Sequence, residues 1–230
     1  MNVQSAIYSI KNGALDAKLV RLYGKAALEA QKKRFISAIE EFADLFGSNR
    51  EISIFSVPGR SEISGNHTDH NFGCVIAGSV DLDIIAIAAK RDDSVLHIKS
   101  EGHKADIVDI NKYTTPDEKF FGHSSSILAG VAKGLMNEGY KVGGLDAYTT
   151  SCVPGGSGLS SSAAFENMVG TMINHFYNEG KVSSVEIAKI SQFAENVFFG
   201  KPCGLMDQVA CAFGGIVAID GKILLGAKVL

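Results

Sequence analysis

Glycine and serine are concentrated in one short segment, VPGGSGLSSSAA at residues 153–164, between a strand-like run and a helix-like run. Glycines let a backbone bend around an anion, and the free N–H groups at a helix start point towards it. The consecutive hydroxyls of Ser160, Ser161 and Ser162 add donors and offer one ligand for Mg²⁺. The segment predicts a phosphate-binding loop, although it lacks the lysine of the GxxxxGK[ST] pattern. The alternative is an ordinary turn in which a serine caps the following helix.

A second polar segment, PGRSEISGNHTDH at residues 58–70, brings one arginine, two histidines and an aspartate close together. These residue types suit a site for a polar small molecule, with Asp69 accepting hydrogen bonds from hydroxyls and Arg60 near an anion. His67, Asp69 and His70 also have the residue types of a metal site, but ligands so close in sequence rarely converge on one ion without a further partner. A solvated polar loop is the third interpretation.

A third segment, AENVFFGKPCGLMDQ at residues 194–208, places Glu195 late on one predicted helix and Asp207 early on the next. A carboxylate beside Met206 and Val209 is costly to bury unless it is paired. The two acids could be ordinary helix caps. If a phosphate loop lies nearby, one could bind Mg²⁺ and the other could act as a base.

The elements that must position these segments follow from the apolar periodicity and the turn residues. Ser183 with Glu186 three residues later predicts a capping box at one helix start. The consecutive strands followed by helices indicate a single α+β domain over residues 1–230. The predicted helices cover 26–47, 121–138, 160–178, 184–199 and 205–212, and the predicted strands 52–57, 75–80, 83–90, 94–100, 105–110, 145–153, 216–219 and 223–225.

Composition excludes several classes of protein. Apolar residues make up 46% of the chain and only 4 of 230 residues are proline, which excludes a disordered chain. The apolar run Ile84 to Ala89 is far shorter than the roughly 20 residues of a membrane helix, and the N-terminus lacks a signal peptide. We therefore expect a cytoplasmic protein without a membrane partner. A net charge of −3 argues against a nucleic-acid partner, and the 4 cysteines form no CxxC pair.

Taken together, the three segments resemble the motifs of the GHMP small-molecule kinases, and specifically of the galactokinase subfamily. The subfamily motif PGRVNLIGEHTDYNGG appears here as PGRSEISGNHTDHNFG, the serine-rich motif is kept from Pro154 to Ala164, and AEHxFxGxxCGIMDQ appears as AENVFFGKPCGLMDQ. The match runs in order from about residue 20 to residue 220.

The resemblance implies a mixed sheet with helices packed on it (the ribosomal protein S5 domain 2-like fold) and ATP-dependent phosphorylation of the anomeric hydroxyl of galactose. By carry-over, Asp207 would be the base or orienting group, with Arg60 beside it, and Ser161 and Glu195 would bind Mg²⁺. The implied sugar contacts are Asn66, His67, Asp69, Cys203 and Gly204. The implied triphosphate contacts are Pro154, Gly155, Gly156, Ser157, Gly158, Leu159, Ser160, Ser161 and Ser162.

Two departures affect the sugar pocket. Asn66 replaces a glutamate thought to accept a hydrogen bond from the C6 hydroxyl, and His70 replaces a tyrosine. An uncharged acceptor makes a weaker contact, so a kinase for arabinose or a heptose phosphate stays open. A non-catalytic sensor of sugar and ATP stays open as well, as does a metal hydrolase built on the HxDH cluster.

Length is the last departure, because members of the family are longer and close the site with a C-terminal domain that this sequence lacks. We expect a truncated chain that turns over poorly. The sequence does not determine the oligomeric state.

Overall fold

One mixed sheet and the helices on its faces make up the part of the chain that the structure, a computed structural model, describes: residues 1–221 and 227–229. The strands of these residues are β1 (Ser53–Ser64), β2 (Cys74–Lys90), β3 (Val95–Ser100), β4 (Asp106–Asp109), β5 (Leu145–Ser151), β6 (Ile216–Asp220) and β7 (Ala227–Val229). The α-helices are α1 (Val3–Lys11), α2 (Asp16–Tyr23), α3 (Leu28–Phe46), α4 (Ser124–Asn137), α5 (Ser161–Asn178), α6 (Ser184–Phe193) and α7 (Met206–Phe213). A π-helix, Ala194–Phe199, directly continues α6.

The long strand β2 organises the sheet. β1 pairs antiparallel along one edge of β2. On the other edge, Cys74 to Gly78 pair with β6 and Ile84 to Lys90 pair with β5. β3 then pairs parallel with β5, and β4 and β7 extend the sheet at its two ends. The predicted α+β fold with a mixed sheet is confirmed.

Alternation along β2 divides the core between the two faces of the sheet. Successive side chains of a strand point to opposite faces. Ala86 and Ala88 accordingly pack with α4, α5 and α6, whereas Ile85 and Ile87 pack with α1 and α3. A third cluster joins α7 to the β2–β6 end of the sheet through residues such as Val75. Since both faces are covered at residues 84–89, that stretch is apolar without interruption.

Several predicted boundaries are wrong, and each has a physical reason. Strands predicted at 75–80 and 83–90 are one strand, because β1 pairs along nearly the whole of β2. β1 continues beyond Pro58, where a register shift, and an outer edge with which no strand of the described residues pairs, tolerate the missing N–H. The helix predicted over 184–199 changes to a π-helix at Ala194, and α1 and α2 were not predicted at all.

The remaining predicted elements agree closely with the structure. The capping box of Ser183 and Glu186 is present. The strand predicted at 216–219 is β6, and its antiparallel partner is β7; the strand predicted at 223–225 lies outside the described residues. No helix of residues 1–221 is both long and apolar enough to cross a membrane.

Candidate active site

The predicted phosphate-binding loop connects β5 to α5 and lies directly against β1. The backbone N–H of Arg60 donates to the carbonyl of Leu159 at 3.1 Å, and the guanidinium donates to the carbonyl of Gly158. A side chain at Gly59 would meet the Leu159 carbonyl at 2.7 Å, so only glycine permits this approach. The loop is therefore fixed to the segment that carries Arg60, and it leads into the N-terminus of α5, where backbone N–H groups are free to bind an anion.

The three consecutive serines at the start of α5 have different surroundings. Ser160 Oγ donates to Asp207 Oδ2 at 2.5 Å, and Ser162 Oγ donates to Glu195 Oε1 at 3.1 Å. Ser161 instead lines a cavity of about 530 Å³. Ser161 and Ser162 are successive helical residues, which helix geometry turns by about 100°, whereas Ser160 precedes the helix in a left-handed backbone conformation.

That cavity opens beside the phosphate loop. Its lining includes Pro154 and Gly155 of the loop, Phe165 of α5, and the polar side chains of His103 and Ser124. It adjoins the α5 N-terminus on the side that Ser161 faces, and its volume falls within the range of small-molecule sites.

Asp207 and Arg60 form the centre of the site, although 147 residues separate them in sequence. Arg60 Nε and Nη2 both donate to Asp207 Oδ1, at 2.8 and 2.6 Å. Arg60 Nη2 also lies 3.2 Å from His67 Nε2, and His67 Nδ1 lies 3.2 Å from Asp69 Oδ1. Because a guanidinium only donates, this network assigns His67 Nε2 as an acceptor and Nδ1–H as a donor to Asp69.

Asp69 joins the β1–β2 loop to the segment before α7. Its Oδ2 accepts the backbone N–H of Met206 at 2.9 Å. A side chain at Gly204 would lie 1.9 Å from the same oxygen. The absence of a side chain at Gly204 thus lets two of the predicted sugar-binding segments touch.

Glu195 is 2% exposed and has a partner on each oxygen. Oε1 accepts from Ser162 and, at 2.9 Å, from Lys201 Nζ, while Oε2 accepts from Gln208 Nε2 at 2.8 Å. The hydrogen bond that Lys201 donates to Glu195 raises the pKa of Lys201. A carboxylate and a hydroxyl are oxygen donors of the kind that Mg²⁺ prefers, so Glu195 and Ser162 fit this ion by their chemistry.

Gln192 of α6 and Asn196 of the π-helix hold the backbone of Cys203. Its N–H donates to Asn196 Oδ1 at 2.7 Å, and its carbonyl accepts from Gln192 Nε2 at 3.2 Å. Burial raises the pKa of the Cys203 thiol. A protonated thiol is a poor nucleophile, so the geometry does not favour nucleophilic chemistry at Cys203.

The structure brings most of the predicted residues together, with two exceptions. No hydrogen bond joins Ser161 to Glu195, both of which lie in the described part of the chain, and the hydroxyl on Glu195 is that of Ser162. Asn66 is exposed, in a left-handed backbone conformation with φ of 53°. The roles predicted for Ser161, for Asn66 and for the residues that do come together all stay predictions.

The possible metal cluster of His67, Asp69 and His70 is compact, with ligand atoms within 4.8 Å of one another. However, His67 Nε2 faces the Arg60 guanidinium, and His70 Nδ1 lies 2.7 Å from the carbonyl of His67. A fixed positive charge beside a ligand atom opposes a metal ion, so the geometry favours a polar small-molecule site.

Sequence reasoning missed four residues of the site: Lys201, Gln208, Glu166 and Asn196. Asn196, Lys201 and Gln208 lie within the third motif, so proximity in sequence was a usable signal. Glu166, which is fully buried on α5 and accepts from Gln208 at 3.2 Å, gave only the weak signal of an acid in an apolar helix.

Two family models match parts of the chain. The family model described as the GHMP kinases N terminal domain matches residues 126–215, and the galactokinase galactose-binding signature matches residues 40–90. Over these residues the chain matches the N-terminal domain of the GHMP kinase family. Its match is to the N-terminal portion of galactokinases: it is 39% identical over 191 residues to the galactokinase of Clostridium tetani, covering 83% of this chain and 47% of the relative.

Other relatives within the GHMP kinase family give the same result. The galactokinase of Streptomyces coelicolor is 35% identical, with coverage of 80% of this chain and 48% of the relative. The structure of Lactococcus lactis galactokinase complexed with galactose has a TM-score of 0.76 at 29% identity, covering 84% of this chain and 51% of that one. The chain thus spans about half the length of the curated relatives it matches. A mevalonate kinase of Methanococcus jannaschii, at 18% identity and a TM-score of 0.64, shares the fold.

Proposed function

We propose that the protein transfers the γ-phosphoryl group of ATP to the anomeric hydroxyl of galactose, yielding galactose 1-phosphate and ADP. One observation carries the proposal: the Asp207 carboxylate contacts Arg60 of the sugar-binding segment on one oxygen and Ser160 of the phosphate loop on the other. A hydroxyl acceptor and a phosphoryl donor would therefore meet at this carboxylate. The similarity to galactokinases supports the choice of sugar.

In the proposed reaction, the C1 oxygen of the sugar forms a bond to the γ-phosphorus and its proton passes to Asp207. The bond from the γ-phosphorus to the bridging oxygen breaks, and its electron pair leaves on ADP. Arg60 balances the charge of Asp207 and stabilises charge on the phosphoryl oxygens. Phosphoryl transfer depends mainly on such positioning and charge neutralisation.

The remaining residues hold the two substrates. The loop from Pro154 to Ser162 would bind the triphosphate, and the adjoining cavity would accept the nucleoside. Ser162 and Glu195 would hold Mg²⁺, which when bound neutralises phosphate charge. His67, Asp69 and the backbone at Gly204 would hold the sugar hydroxyls.

An alternative substrate follows from Asn66, which is exposed and carries no charge where galactokinases have glutamate. A sugar without a C6 hydroxyl, such as arabinose, loses least from this change. The assay should therefore compare galactose with arabinose. Equal rates on both sugars would remove the preference for galactose but keep the kinase chemistry.

Galactose-dependent ADP release tests the function, and phosphorus NMR identifies the sugar 1-phosphate. Single-turnover conditions, with protein in excess of ATP, keep slow chemistry measurable. We expect Asp207→Asn to slow transfer by about 10²- to 10⁴-fold, the usual contribution of a positioned base. Asp92→Asn makes the same change at an exposed site and should leave the rate unchanged. Equal rates for Asp207→Asn and the parent chain would reject the proposed role of Asp207.

A further inference from the structure

Asp207 and Glu195, to which the proposed function gives the base and Mg²⁺ roles, are each paired with a cation, but the two pairs differ in kind. Arg60 contacts Asp207, Gly158 and His67, and its side chain is 7% exposed. Lys201 contacts Glu195 through Nζ, and its side chain is 60% exposed. Several partners thus fix the Arg60 guanidinium, whereas the Lys201 ammonium contacts the Glu195 carboxylate from the solvent side.

Lys201 occupies the side of Glu195 where a divalent cation would bind. Its ammonium contacts Oε1, the same oxygen that accepts from Ser162, whereas Oε2 is taken by the buried amide of Gln208. A cation shared by Ser162 and Glu195 would have to share Oε1 with the ammonium or displace it. Two positive charges on one oxygen repel each other, so displacement is favoured.

The displaced ammonium has a second partner within reach. Because Lys201 and Ser162 share one oxygen of Glu195, the Lys201 ammonium lies beside the N-terminus of α5, where the triphosphate would bind. A flexible four-carbon stem lets the charge move without moving the backbone. The backbone at Lys201 is itself held, since its N–H donates to the carbonyl of Glu195 at 3.0 Å.

We propose that Lys201 is a movable counter-ion, which neutralises Glu195 in the empty site and transfers to phosphate oxygens when a divalent cation takes Glu195. This inference rests on the proposed function, because it assumes that Ser162 and Glu195 hold the cation of a bound nucleotide. It assigns Lys201 two opposed effects: the residue weakens binding of the free cation and strengthens binding of the nucleotide.

Binding measurements on the 230-residue chain test both effects without relying on turnover. Binding of Mn²⁺ alone is followed by electron paramagnetic resonance, and binding of ATP in EDTA by calorimetry. In Lys201→Met, we expect Mn²⁺ to bind about three- to tenfold more tightly and ATP in EDTA to bind weaker by a similar factor, as for a partly exposed ion pair. Lys201→Arg keeps the charge and should keep ATP binding close to that of the parent chain.

Lys181→Met is the matched control, since Lys181 forms an exposed ion pair with Glu179 outside the site and its loss changes net charge equally. Unchanged Mn²⁺ affinity or unchanged ATP affinity in Lys201→Met would overturn the proposal, as would equal shifts in the Lys181→Met control. The parent chain is titrated before any variant. If it binds neither Mn²⁺ nor ATP, that result contradicts the proposed function itself, and with it the inference about Lys201.

Discussion

At the residue scale, two buried glutamates share one glutamine beneath the site. Gln208 Nε2 donates to Glu195 Oε2 at 2.8 Å and to Glu166 Oε2 at 3.2 Å. Burial, and then the neighbouring Glu195, raise the pKa of Glu166 well above its usual value. Glu166 therefore keeps its proton at a pH at which an exposed glutamate has lost it.

This proton makes stability depend on pH. Above the pKa of an unfolded glutamate, about 4.3, the native state holds a proton that the unfolded state has lost, so the free energy of unfolding falls as pH rises towards the folded pKa. A single such proton gives a slope of up to about 1.4 kcal/mol per pH unit. Glu166→Gln removes the titration, and we expect a flatter profile between pH 5 and 7.5 in urea unfolding. Glu118→Gln, at an exposed glutamate, should keep the parent slope; parallel profiles for the parent and Glu166→Gln would contradict the assignment.

At the element scale, the π-helix after α6 directs two neighbouring side chains to different tasks. Glu195 meets Ser162 at the start of α5, while Asn196 caps the backbone of Cys203. Short π-helical segments are frequent at functional sites. Here the segment is positioned by close contact with α4, where a side chain at Gly130 would lie 2.8 Å from Ala194.

The cap on Cys203 predicts an effect on sugar binding. Asn196→Ala removes the acceptor for the Cys203 N–H and should loosen the segment that carries Gly204. We expect galactose to bind about tenfold more weakly, the equivalent of one lost hydrogen bond to a partly buried donor, as measured by calorimetry. Asn196→Asp keeps the acceptor oxygen and should retain most of the affinity.

Asn178→Ala is the control for this substitution, because Asn178 also bridges two segments through backbone hydrogen bonds, to Lys141, but outside the site. Equal losses of galactose affinity in Asn178→Ala and Asn196→Ala would indicate a general loss of stability instead of a local one.

At the scale of the whole molecule, the N-terminal helices are joined to the sheet by a buried ion pair. Arg34 of α3 donates to Asp83 of β2 at 2.6 Å and to the carbonyl of Thr150 of β5 at 3.2 Å. Tyr23 and Ser56 also donate to Asp83, whose side chain is 4% exposed. This cluster connects α2, α3 and β1 at the middle of β2, close to the point where β2 changes its partner strand.

Breaking this pair should destabilise the fold. Arg34→Met leaves the buried Asp83 carboxylate without its cation, and we expect a loss of about 3–5 kcal/mol in the free energy of unfolding. Adding Asp83→Asn should restore part of the loss, because it removes the unpaired charge. Arg21→Met, at an exposed arginine of the same helical layer, should change stability little. Urea unfolding measures the free energy of unfolding of each variant. If the double variant recovers none of the loss, lost packing rather than the unpaired charge causes the destabilisation.

Much of the fold and site could be predicted from the sequence, because it depends on local patterns. Apolar periodicity located α3, α4, α5 and α7 to within a few residues. The three motifs identified the family, since their residue types and spacing are specific. The sequence did not predict the N-terminal helices α1 and α2, because each has only a short apolar stripe. Such a stripe indicates a buried helix face only when the sheet face that it covers is known.

The pairing of functional groups was decided by the tertiary structure alone. The sequence identifies Ser160, Ser161 and Ser162 as candidate phosphate or Mg²⁺ contacts. Which hydroxyl contacts Asp207 or Glu195 depends on how α5 is rotated against α7 and the π-helix. Likewise, the role proposed for Lys201 depends on one contact, the hydrogen bond from its ammonium to Glu195. The irregular backbone between these two residues brings them together. A sequence determines which chemical groups are present and which local structures they favour, whereas contacts between distant segments depend on the packing of the whole chain.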